Sequence, residues 1–197
     1  AFAEKCLTAS ISAYDWAKKN KGVKFNQGAM NQKFNPDINT GAYDDEALGD
    51  EFQWAAIELF IATNKSRYFE DANLEFTLRT DFDLPNWKQV NTLGLYSIIQ
   101  NRDNLPEEFK PVLELVKTKV IDMATKIQKY QANKSEFSIA MGLSGFNWGS
   151  NSTAANQGML LMNAYKLTNE GAFLTAAISN LDYLLGRNGT GYCYVSG

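Results

Sequence analysis

Residues 41–63 read GAYDDEALGDEFQWAAIELFIAT, and the fold is decided where the character of this stretch changes, near Asp50. Five of the eight positions from Asp44 to Glu51 are carboxylates, and the run from Phe52 to Thr63 is then apolar almost all round. A segment of that length with apolar residues on nearly every face is a helix covered by neighbours on most sides. It needs other helices to cover it. Phe2, Cys6, Ala9, Ala13 and Trp16 recur at intervals of three and four, which places them on one face of a first helix through about Asn20. Tyr68, Phe69, Ala72 and Phe76 give another behind Ser66 as N-cap, and NTLGLYSIIQ (91–100) gives a third. Pro106 opens a long helix whose period is held by Val112, Leu113, Val116, Val120, Met123, Ile127 and Tyr130. Two more are expected around residues 154–167 and 172–185. Only GYCYVSG (191–197) alternates like a strand. About seven helices with almost no strand signal make an all-α fold of paired helices.

Composition removes several classes of function. The formal net charge of -3 comes with lysines and arginines scattered along the chain, so there is no basic stripe to neutralise phosphates and nucleic acid is not an expected partner. No apolar run approaches the roughly 20 residues that span a bilayer, so no membrane role is expected, and any export signal is removed or lies outside the chain. The sequence has no histidine, which removes Ser-His and Cys-His nucleophiles and histidine-held metals together. Carboxylates, Lys, Tyr or a hard metal remain. The two cysteines, Cys6 and Cys193, sit at opposite ends without CxxC spacing and are expected to be unpaired, mostly buried thiols.

Three polar, aromatic-bearing loops interrupt the helices: residues 21–43, the segment RTDFDLPNWKQ (79–89) and SIAMGLSGFNWGSNS (138–152). Loops of this length on a helical scaffold tend to carry function and here are expected to gather at one end. The acidic run 44–51 has three readings. It is a catalytic pair of the adjacent Asp44 and Asp45, a solvated run whose Asp50 and Glu51 favour the positive end of the helix that follows, or a set of hard oxygens for a six- to eight-coordinate calcium ion.

The stretch 41–63, FNWGSNSTAANQGMLLMNAY (146–165) and LDYLLGRNGTGYCYVSG (181–197) together resemble the family 9 glycoside hydrolases, inverting β-1,4-glucanases whose catalytic domain is an (α/α)6 barrel; CLTASISAYDWAKKN (6–20) resembles a helix near the middle of that domain. The resemblance runs through the whole chain in the family's order. It implies that residues 1–197 are the central part of one such domain, about seven of its twelve helices, acting on cellulose or a related β-glucan in an extracellular or periplasmic setting. The family's DAGD-like aspartate pair, its His-Arg segment and its general-acid glutamate have no match here, so no catalytic residue is assigned. Inverting hydrolysis needs two carboxyl groups about 6.5 to 9.5 Å apart, and neither is identifiable. The alternative is a non-catalytic glucan-binding or inactive partial barrel. A partial barrel also exposes helix faces, so self-association is expected. Trp148 matches a family position where a ring stacks on a glucosyl unit, Tyr43 is a second platform candidate, and Asn151 is expected to brace the loop. The resemblance further implies structural calcium at Asp50 and Glu51, with Asp45 and Asp83 as further candidate ligands.

Overall fold

A computed structural model describes residues 1–38, 41–42, 45–79, 82–134 and 137–196. These residues form an all-α fold of paired helices, of the (α/α)6 type: α1 (Phe2–Lys19), α2 (Gln27–Asn31), α3 (Gly49–Thr63), α4 (Ser66–Ala72), α5 (Leu74–Thr77), α6 (Asn91–Gln100), α7 (Lys110–Lys134), α8 (Ser150–Thr168) and α9 (Gly171–Leu184). Seven of them, all but the short α2 and α5, are seven residues or longer, as the periodicity requires. Short connections fold α3 onto α4 and α8 onto α9, while α6 packs on α3 and α7 on α8. Helices joined by short loops run antiparallel, so α3, α6 and α8 all begin at one end. Contacts among these three starts confirm that two of the long loops meet there: the Asp50 carboxylate at the start of α3 accepts from Val90 N at the start of α6 (2.6 Å), and Asn156 of α8 donates to the Pro85 carbonyl.

Helix ends follow local chemistry that the apolar pattern does not carry. Asn64, Asn73 and Asn169 close α3, α4 and α8 in left-handed geometry, with φ of 53°, 46° and 58°. Asparagine adopts this conformation more readily than other non-glycine residues because its short side chain bonds locally. Asn73 therefore divides the helix expected through Phe76 into α4 and α5. The long helix opens one turn later than expected, because Pro106 precedes a 3-10 turn, Glu107–Phe109, before α7 begins.

The core runs through α3, α4, α6, α7, α8 and α9. Ile57, Tyr68, Leu95, Ile98, Ile99, Phe109, Val116, Val120, Leu160 and Leu161 are at most 1% exposed. Buried polar side chains lock the hairpins: Gln53 Nε2 donates to the Ala72 carbonyl (2.7 Å) and Asn180 Nδ2 to the Ala154 carbonyl (3.0 Å).

Three expectations are corrected. The face of α1 carrying Phe2, Cys6, Ala9, Ala13 and Trp16 is exposed, and the inward face is Leu7, Ile11 and Tyr14. Tyr14 holds it there, donating to Asp71 Oδ2 (3.0 Å) beside the Lys18–Asp71 ion pair (2.7 Å). A helix with two apolar faces satisfies the period twice over, so the period does not say which face is covered. Both cysteines are free, but exposed rather than buried. Residues 191–196 form no strand: Tyr194 N donates back to Leu184 O at the end of α9 (2.7 Å), and among the described residues no strand lies beside them to pair with.

Candidate functional site

The loop before α8 and the loop before α6 meet across a hollow of about 730 Å³. Gly149 caps α8 at φ 81°, a backbone conformation that any side chain would strain. The chain can therefore turn sharply into the helix and leave the preceding Trp148 outside it, 83% exposed. Ser152 Oγ donates to the Gly149 carbonyl (2.7 Å) and Asn147 Nδ2 to Ser144 O (3.4 Å), fixing the turn. On the opposite wall the Asn86 side-chain oxygen accepts from Lys88 N (2.9 Å) and Gln89 N (3.1 Å), and Asn86 N donates to Gln89 O (2.9 Å). That tight turn displays Trp87, 59% exposed. Leu93 and Met159 floor the hollow while Asn151, Thr153 and Asn156 bring polar groups to it. Large aromatic surfaces with a few amides and hydroxyls at the rim are the mix that binds a ligand having flat apolar faces and polar edges.

Of the residues singled out in the sequence, Trp148 stands in this hollow. Asn151 lines it rather than bracing the loop, a task that falls to Asn147 and Ser152. Tyr43 lies outside the described residues. Trp87 was missed, although its setting beside Pro85 and Asn86 in a polar loop parallels that of Trp148 in FNWGSN. A tryptophan among loop-forming residues has no helix face to bury it, and that was the available signal.

The acidic run divides by position. Glu46 is solvent-facing and pairs with Lys24. Asp50 caps the start of α6 through Val90 N. Asp45 Oδ1 accepts from Ala47 N (2.9 Å), while Asp45 Oδ2 and Glu51 Oε2 are buried without a hydrogen-bond partner. Burial pushes the Glu51 carboxyl up to about 7; a hydrogen bond with Asp50 and the charges of Asp50 and Asp45 push the same way, against one backbone hydrogen bond. Asp44 lies outside the described residues.

Asp83 does not join this group. Asp83 is exposed and lines a separate hollow with Lys119, Asp122 and Lys126 of α7. Only its main-chain carbonyl serves the site end, accepting from Thr92 Oγ1 (2.6 Å). The donor chemistry of Asp45, Asp50 and Glu51 fits a hard cation, because two buried carboxylate oxygens lack any partner and the Glu51 carboxyl is pushed up by burial beside Asp50 and Asp45. Among the described residues no three Asp, Glu or Cys side chains come together as a group that could hold a metal ion, so these carboxylates would supply only part of a shell completed by carbonyls and water.

Comparison with known proteins identifies the family. The model of Glycosyl hydrolase family 9 matches residues 1–197. A xyloglucan-specific endo-β-1,4-glucanase of Bacteroides ovatus is 37% identical over 199 residues, covering 100% of this chain and 33% of that protein. Endoglucanase C of Cellulomonas fimi is 32% identical over 161 residues, covering 80% of this chain and 14% of its own length. The solved Bacteroides ovatus GH9 structure superposes with a TM-score of 0.87 at 36% identity, covering 100% of this chain and 36% of that one. The chain thus spans about a third or less of the length of these relatives. Matched from end to end by the family model, it belongs to glycosyl hydrolase family 9.

Proposed function

We propose that these residues are the central, glucan-binding part of a secreted catalytic domain that hydrolyses β-1,4-glucosidic bonds with inversion. The observation that carries the binding role is the pair of exposed tryptophans, Trp87 and Trp148, lining one hollow. A β-glucoside presents flat C–H faces that stack on such rings while its hydroxyls reach the amides at the rim. The relatives' names as endoglucanases support the substrate class. Proton transfer is assigned to carboxylates outside this chain. Asp50 and Glu51 are themselves no such pair, since the hydrogen bond between them leaves no room for the water that an inverting pair holds between groups about 6.5 to 9.5 Å apart.

The outward stripe of α1 and the exposed Ile178 and Leu181 of α9, with Leu185 just beyond it, are then seams for further helices of the same domain. Left uncovered, they drive self-association, seen as sedimentation that rises with concentration; a single species at all concentrations would refute it.

The direct test applies the 197-residue chain to soluble β-1,4-glucan, measuring affinity electrophoresis beside release of reducing ends. Retardation without hydrolysis is the expected result. Turnover would overturn the assignment of the catalytic carboxylates, and absence of retardation would overturn the role of the hollow.

Asp45, Asp50 and Glu51 are proposed to hold a structural calcium ion, which supplies positive charge to the orphaned oxygens and pins the start of α3. Without calcium, the raised Glu51 pKa means that the folded chain holds more protons than the unfolded one between pH 4.5 and about 7. Its stabilising effect is complete below pH 4.5 and is lost as pH rises through about 7. In chelator, stability is therefore expected to fall over that interval by about 1 kcal/mol, the site being partly screened by solvent. Glu51→Gln flattens the dependence and abolishes the rise in melting temperature that calcium gives the parent chain at pH 7.5. Identical melting with calcium and with chelator would rule out the ion.

A further inference from the structure

We propose that Asn156 is a positioning residue for the tryptophan pair, its side-chain amide holding the Trp87 turn against the helix that begins just after Trp148 so that a glucan can lie across both rings. The inference rests on the glucan-binding reading of the hollow. It starts from the one side-chain hydrogen bond described between the two walls, in which Asn156 Nδ2 donates to the Pro85 carbonyl. Pro85 directly precedes the Asn86 turn, and that turn closes on itself through Lys88 N, Gln89 N and Gln89 O. The turn is thus a rigid unit with Trp87 at its tip, and its placement depends on what grips its base. Proline helps, because its φ is fixed, and Pro85 is buried.

The other wall is equally defined. Trp148 is set by Gly149, which caps α8, and Asn156 lies on that helix, six residues or about 9 Å of rise beyond its first residue, Ser150. One amide therefore ties the base of one platform to the helix that begins at the other. A ligand reaching both rings depends on this distance, whereas a ligand resting on one ring does not. Holding the rings in place before binding removes an ordering cost from the association.

The variant Asn156→Asp tests the donor alone, since a carboxylate of the same shape cannot donate to a carbonyl. Binding of cellohexaose and of cellobiose to the 197-residue chain is measured by tryptophan fluorescence in four proteins: the parent, N156D, W87A and the double variant. N156D is expected to weaken cellohexaose by about five- to tenfold and cellobiose by less than twofold. In the W87A background the same change is expected to have no further effect, because its influence passes through Trp87. A structural role would weaken both sugars alike and would add to W87A. Either of those results, or parent-like cellohexaose binding by N156D, overturns the proposal. Failure of the parent to bind cellohexaose overturns the glucan reading itself and this inference with it. Near-UV circular dichroism of the free proteins gives a reading independent of ligand: N156D is expected to change the aromatic signal, and an unchanged spectrum refutes the displacement of Trp87.

Discussion

Phe109→Ala is expected to destabilise the chain by about 4 kcal/mol, the largest effect of any single truncation considered for this fold. Phe109 is 1% exposed and ends the 3-10 turn that leads into α7. Its ring lies 5.2 Å from that of Phe60 on α3 and 5.1 Å from that of Phe69 on α4, and Phe60 and Phe69 are themselves 5.5 Å apart. The α3–α4 hairpin and a turn some forty residues further along the chain meet at this one side chain. Removing it forfeits the transfer free energy of the ring and leaves a cavity that neither helix can fill without leaving its other neighbours. Urea unfolding should show a midpoint shift of that size at an unchanged slope, and melting should fall by roughly 10 °C or more. Phe146→Ala is the contrast, since Phe146 is 43% exposed and should cost under about 1 kcal/mol. A loss at Phe109 no greater than at Phe146 would refute the placement of the aromatic trio at the centre of the core.

Trp148→Ala is expected to weaken binding of a soluble β-1,4-glucan roughly thirtyfold, about 2 kcal/mol, with melting almost unchanged. The ring makes little intramolecular contact, being 83% exposed, so its removal leaves no cavity in the fold. What is lost is the flat surface on which a sugar face would be desolvated. Trp87→Ala is expected to act in the same direction. Trp16→Ala is the control: Trp16 is also exposed, at 57%, but lies on the outward stripe of α1 and lines a different groove. Affinity electrophoresis of the three variants gives the answer. Equal losses at Trp16 and Trp148 would mean that binding follows exposed tryptophan in general and not the hollow.

Much of the scaffold was legible because helices are local. The spacing of Val112, Val116 and Val120 on α7, and the unbroken apolar run of α3, follow from a 3.6-residue repeat that neighbouring residues fix among themselves. Where the reading failed, the deciding interaction was either too short or too distant for periodicity. Asn73 stops α4 by its own backbone preference. Trp87 was passed over because a loop has no repeat to interrupt. The resemblance groups Asp83 with the metal candidates, and its place in a separate hollow against α7 depends on packing between segments distant in sequence.

The division is clearest at the acidic run. From the sequence alone these residues are all-α, contain no histidine, resemble family 9 glycoside hydrolases by their motifs and place their carboxylates at the mouth of a buried helix. Those properties depend on composition and on contacts within a turn or two. Only the tertiary structure decided which carboxylates face water and which do not: Lys24, on a separate loop, keeps Glu46 in solvent, and Val90 from another helix claims Asp50. Burial, which no neighbour in sequence can impose, raised Glu51. The same holds for the tryptophans, sixty-one positions apart. They share one hollow because the starts of α6 and α8 are packed at the same end of the fold, and that adjacency is set by the core between the helices rather than by anything in the loops themselves.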